Sequence, residues 1–182
     1  IHAVRESFDA VHALHRPGAP ELSSGGYLGK LDASGWLAHV HAILKASNFI
    51  VEALTVEKAG VLVHCSDGWD RTPQLCSMAQ LCVDGHYRTF KGFAALIEKE
   101  WLSFGHKFSE RSNHKGSRET EEKAQIFPLW LDCVWQVSRQ FPTVLEFNGD
   151  FLLALMDQLF SCRFGTFLSN SWLERNGHQA AT

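Results

Sequence analysis

Apolar residues recur at intervals of three and four over most of the chain, and the breaks between such runs divide it into helices. Ile1, Val4, Phe8, Val11 and His15 keep this spacing until Pro17 and Gly18 stop it. Residues 16–29, rich in Gly, Pro and Ser, read as a loop. Trp36, Val40, Ile43, Leu44, Ser47, Val51 and Leu54 mark a second helix, with Asp32 or Ser34 as caps and an apolar face suited to covering a sheet. After Pro73, Leu75, Met78, Ala79, Cys82 and Val83 give a helix closed by Asp84-Gly85. Thr89 caps the next, which carries Phe90, Phe93, Ile97 and Trp101. Pro128 opens a helix through Trp130, Val134, Trp135 and Val137, and Asn148 caps another through Phe151, Leu152, Leu155 and Leu159. Residues 103–122 are polar and aperiodic and read as a long loop, and residues 177–182 as a disordered tail.

Strand-like sequence is scarce. Residues 61–64 have the continuous apolar character of a buried parallel strand, and only the short run 143–147 resembles another. A buried strand needs hydrogen-bonding neighbours on both edges. The pattern therefore predicts an α/β domain, a central sheet with flanking helices, of which this chain carries the largely helical part. The lack of an initiating Met, with a helical pattern already running at residue 1, fits a chain that begins inside a domain, truncated at its N-terminus.

Composition refines this picture. At 182 residues, 45% apolar, with six Trp and thirteen Phe, the chain suits one domain with a sizeable core. A net charge of −3 argues against a nucleic-acid partner, so an anionic ligand must meet a local basic cluster. The five cysteines, at 65, 76, 82, 133 and 162, are odd in number and contain no C-x-x-C pair, which points to a reducing, cytosolic setting and no metal site. No motif asks for a cofactor. No apolar run reaches transmembrane length, which leaves peripheral contact as the expected relation to a membrane.

The chemistry concentrates in His64-Cys65-Ser66-Asp67-Gly68-Trp69-Asp70-Arg71-Thr72, where the apolar run ends in a cysteine, a glycine-containing turn follows and a helix begins. Backbone N–H groups of such a turn, with the helix N-terminus, form an anion site that also lowers the pKa of a thiol placed in it. Cys65 is the candidate nucleophile and Arg71 the fork that clamps phosphoryl oxygens. Asp70, beside an incoming phosphate, is expected to have a raised pKa and to protonate the leaving group, then to activate water. Ser66, Gly68, Trp69 and Asp70 offer backbone N–H groups to phosphate, with Gly68 permitting a tight bend. Asp67 either accepts bonds from substrate hydroxyls or organises the turn; Trp69 either lines the pocket or packs the loop. His64 is expected to orient the loop.

This loop resembles the active-site signature of the myotubularin family of phosphoinositide 3-phosphatases. The resemblance extends in order through Ile1-His2-Ala3-Val4-Arg5-Glu6-Ser7, Asp84-Gly85-His86-Tyr87-Arg88-Thr89, Glu100-Trp101-Leu102-Ser103-Phe104-Gly105-His106-Lys107-Phe108 and Cys162-Arg163-Phe164-Gly165-Thr166-Phe167. It implies a partial catalytic domain over residues 1–176, with the fold of the protein tyrosine phosphatase superfamily, and removal of the 3-phosphate from phosphatidylinositol 3-phosphate and its 3,5-bisphosphate through a cysteinyl-phosphate. It implies that Lys107 and Arg111 contact a second phosphate, whereas Lys115 and Arg118 read as solvated. It further implies a cytoplasmic protein acting peripherally on endosomal membranes, and homo- or hetero-oligomers with other myotubularins through regions absent here. Two other readings compete: a protein tyrosine or dual-specificity phosphatase, and a truncated, non-catalytic segment that binds phosphoinositide or regulates. The isolated 182 residues are expected to have weak or no activity.

Overall fold

The computed structural model describes residues 1–114 and 122–179. Its elements are α1 (His2–Leu14), α2 (Ser24–Ala33), α3 (Trp36–Thr55), α4 (Arg71–Val83), α5 (Phe90–Ile97), the single turn α6 (Phe108–Arg111), α7 (Ile126–Gln140), α8 (Gly149–Ser161) and α9 (Trp172–Gln179). A π-helical turn, Glu98–Ser103, continues α5. Thr89 caps α5 through Gly92 N–H at 3.0 Å, and Asn148 caps α8 through Phe151 N–H at 3.2 Å, as their sequence positions predict. For α3 the N-cap is Gly35, at φ +76°, while the Ser34 hydroxyl accepts from Trp36 N–H.

Helices α3, α4 and α7 pack on one another at the centre. The Trp36 indole N–H donates to Asp132 Oδ2 at 2.6 Å, tying α3 to α7. Phe93 stacks on Trp130 with ring centroids 5.3 Å apart and planes within 7°. Trp101, Phe127 and Phe108 extend this cluster edge to face and Phe167 joins it at a tilt, all buried. It ends at His106, whose ring meets the edges of Trp101 and Phe108 at 5.0 and 4.7 Å. The core thus runs up to the loop that carries Cys65 and Arg71.

No strand is present among the described residues. Residues 61–64 form an irregular link from α3 to α4, with Leu62 89% exposed and Val61 and Val63 over Ile50, Leu54, Ala79 and Val83. A strand is defined by lateral hydrogen bonds, and none of the described segments supplies them. The α3 face expected against a sheet is divided: Trp36, Val40 and Ile43 enter the helical core, and Leu54 stays exposed. The run 143–147 is likewise a set of turns. It buries Leu145 and Phe147 and pins the start of α5, the Glu146 carboxylate accepting from Phe90 N–H at 2.7 Å.

Three expected irregular stretches hold helix. Within 16–29, α2 starts at Ser23, whose hydroxyl accepts from Gly26 N–H, and it packs on α1 and α3 despite three glycines. Within 103–122, α6 buries Phe108, Ser109 and Arg111. At the C-terminus, α9 runs through residues 177–179, the start of the stretch expected as a tail, and 180–182 lie outside the described residues.

Among the described glycines, Gly92 lies closest to another stretch of backbone. A Cβ there would sit 1.8 Å from the His86 carbonyl oxygen. Gly92→Ala is expected to lower unfolding stability by at least about 2 kcal/mol, measured by denaturant titration.

Candidate active site

Residues 66–70 turn from the extended link into α4, with Gly68 at φ +84° making the bend that a residue with Cβ resists. The turn wraps the Cys65 sulfur: Gly68 N–H points at Sγ from 3.2 Å and the Thr72 hydroxyl donates to it from 3.3 Å. Burial alone would raise this thiol. Donors from the Thr72 side chain and the Gly68, Thr72 and Asp67 backbones outweigh that and bring its pKa down to about 7. Burial raises the thiols of Cys76, Cys82 and Cys133.

Cys65, Asp67, Trp69, Asp70, Arg71, Arg111 and Glu122 line one pocket of about 370 Å³. Arg71, at the start of α4, donates to the Ser66 hydroxyl at 2.7 Å and is exposed to the pocket. Ser66 and Asp67 stand at the solvent side of the turn. Lys107 reaches Trp69 and Glu110 rather than the pocket floor, its Nζ 5.0 Å above the indole and 3.3 Å from the carboxylate. Lys115 and Arg118 lie outside the described residues.

Asp70 is 12% exposed and faces two donors. His106 Nδ1 lies 3.1 Å from its Oδ1, and the Arg111 fork reaches its Oδ2 at 2.9 and 3.2 Å. Burial pushes the carboxyl up, but bonds and charge from His106 and Arg111 prevail and hold it below the usual carboxylate range. The raised pKa expected for Asp70 considered only an approaching phosphate; the neighbours it has in the fold act in the opposite direction.

Arg111, 4% exposed, is a hub rather than a free cation. Its third nitrogen donates to the Glu122 carboxylate at 2.9 Å and to the Glu122 carbonyl, and its guanidinium stacks 4.5 Å from the Trp69 ring. Trp69 therefore packs the loop and lines the pocket at once. His64 is exposed, and the orienting role expected of it falls to His106. His106, Glu122 and the Thr72 hydroxyl are the site residues that spacing did not single out. A histidine between Gly105 and Lys107, amid aromatic residues, was the available signal for the first.

The model of the myotubularin-like phosphatase domain matches residues 1–176. The chain belongs to this family. It is 50% identical to the Homo sapiens phosphatidylinositol-3,5-bisphosphate 3-phosphatase MTMR8 over 175 residues, which is 96% of this chain and 24% of that protein. It is 48% identical to the Mus musculus phosphatidylinositol-3,5-bisphosphate 3-phosphatase MTMR6, over 96% of this chain and 28% of that protein. Against the Homo sapiens phosphatidylinositol-3-phosphate phosphatase MTMR7 the identity is 46%, over 96% and 26%. The chain spans about a quarter of the length of these relatives.

With a pKa of about 7, Cys65 carries a thiolate fraction at neutral pH that an ordinary cysteine lacks. Its alkylation rate by iodoacetamide is expected to rise through a midpoint near that value, and Thr72→Ala is expected to move the midpoint up to about 8. A mass-spectrometric alkylation series over pH checks both.

Proposed function

We propose that the protein carrying this segment is a phosphoinositide 3-phosphatase acting on phosphatidylinositol 3-phosphate and the 3,5-bisphosphate. The observation that carries this is the convergence of a low-pKa Cys65 thiol, Asp70 and Arg71 on one pocket at the start of α4. The names of the relatives supply the substrate class.

In the first step the Cys65 thiolate attacks phosphorus, an S–P bond forms and the bond from phosphorus to the inositol oxygen breaks. Asp70 gives its proton to that oxygen. Arg71 and the turn N–H groups hold the equatorial oxygens while charge redistributes. In the second step water attacks phosphorus, its proton passes to Asp70, the S–P bond breaks and inorganic phosphate leaves with the thiolate restored. The ionised Asp70 of the empty site suits this second step. Protonation for the first comes with the substrate, whose negative charge opposes that of His106 and Arg111.

Lys107 and Arg111 are the residues for a 5-phosphate, and Arg111 would exchange a carboxylate partner for it. Residues 61–64 would take up strand pairing in a phosphatase-type sheet supplied by further sequence. Peripheral contact with endosomal membranes and oligomers with other myotubularins complete the reading. A tyrosine phosphatase reading and a non-catalytic reading remain its rivals.

The intact protein is expected to release phosphate from short-chain phosphatidylinositol 3-phosphate and its 3,5-bisphosphate but not from a phosphotyrosine peptide. Cys65→Ser is expected to abolish turnover by more than about 10³-fold. The opposite preference would favour the tyrosine phosphatase, and no release from either the non-catalytic segment.

A further inference from the structure

We infer that His106 is the positioning residue for proton transfer: its buried ring N–H sets the Asp70 carboxylate and the Trp69 backbone in one geometry. This rests on the proposed acid and base role of Asp70. His106 is 1% exposed, and its Nδ1 lies 2.8 Å from the Trp69 carbonyl oxygen and 3.1 Å from Asp70 Oδ1. Both partners are acceptors, so Nδ1 carries the hydrogen in either protonation state of the ring. That nitrogen is hydrogen-bonded to the backbone of one loop residue and lies within ion-pair distance of the side chain of the next.

The ring itself has little freedom. Trp101 and Phe108 meet it edge-on, and Trp69 lies 6.4 Å away at a tilt. Its backbone is fixed as well: His106 N–H donates to the Trp101 carbonyl at 2.9 Å, where the π-helical turn gives way to Gly105 at φ +79°. Arg111 supplies charge to Asp70 but spans two carboxylates, whereas the His106 bond is the one that links the acid to the rigid aromatic core. A carboxyl group misplaced by about 1 Å loses much of its value in proton transfer.

The prediction separates leaving groups. Inositol oxygen is a poor leaving group that needs the Asp70 proton; p-nitrophenolate leaves without one. In kcat/KM, which reports steps through phosphorylation of Cys65, His106→Leu in the intact protein is expected to lose about 100-fold toward short-chain phosphatidylinositol 3-phosphate. Toward p-nitrophenyl phosphate the loss is expected to be no more than about threefold, because that departure bypasses the acid. His106→Asn places an amide N–H where Nδ1 stands and is expected to recover phosphoinositide kcat/KM to within about 10-fold of wild type. Parallel losses toward both substrates, equal losses in the Leu and Asn variants, or no loss in either would overturn the inference while leaving the phosphatase reading intact. A wild-type protein that hydrolyses p-nitrophenyl phosphate but not the phosphoinositide would remove that reading, and the inference with it.

Discussion

Asp70 is gripped by His106 and by the fork of Arg111, and the placement of those two donors depends on most of the core. His106 stands at the end of an aromatic cluster that runs from Phe93 and Trp130 through Trp101. Arg111 enters from α6 and is buried only because Asp70 and Glu122 neutralise it. Removing one partner of a buried pair leaves an uncompensated charge, a loss of roughly 3–5 kcal/mol. Asp70 is therefore the anchor of its loop as well as the proposed acid and base.

The same constraint divides the labour between the two titrating residues. Cys65 sits on the solvent side of the turn, where N–H and hydroxyl donors lower its pKa without a cation in direct contact. Asp70 sits on the core side, where hydrogen bonding to His106 and the Arg111 guanidinium lowers its pKa. A phosphate entering between them adds negative charge to both environments. It faces Arg71 and the turn amides on one side and, on the other, a carboxylate whose proton affinity it increases. Two acidic groups with opposite tasks can thus share a small pocket.

Helices were legible because their apolar faces and caps are local: Thr89 and Asn148 cap as their positions indicate, and Trp36 to Leu54 lie in one helix. The α2 helix was obscured by Gly25, Gly26 and Gly29, whose low propensity is offset by the Ser23 cap and by packing on α1 and α3. Residues 61–64 carry strand-like side chains but pair with no strand among the described residues, because a strand is made by its neighbours. At the site, the nine-residue motif brought Cys65, Asp70 and Arg71 into view. The long-range partners did not show: Asp70 meets His106 and Arg111 across more than thirty residues, and Glu122 lies at the end of a stretch that reads only as a polar loop. Pairings at that separation leave no periodic trace.

The coupling between the aromatic core and the acid is most directly tested by a double-mutant cycle on phosphoinositide kcat/KM with Asp70→Asn, His106→Leu and the pair, in the intact protein. If His106 acts through Asp70, the double variant is no slower than Asp70→Asn alone, within about threefold. Losses that multiply would show the two residues acting independently and contradict this account.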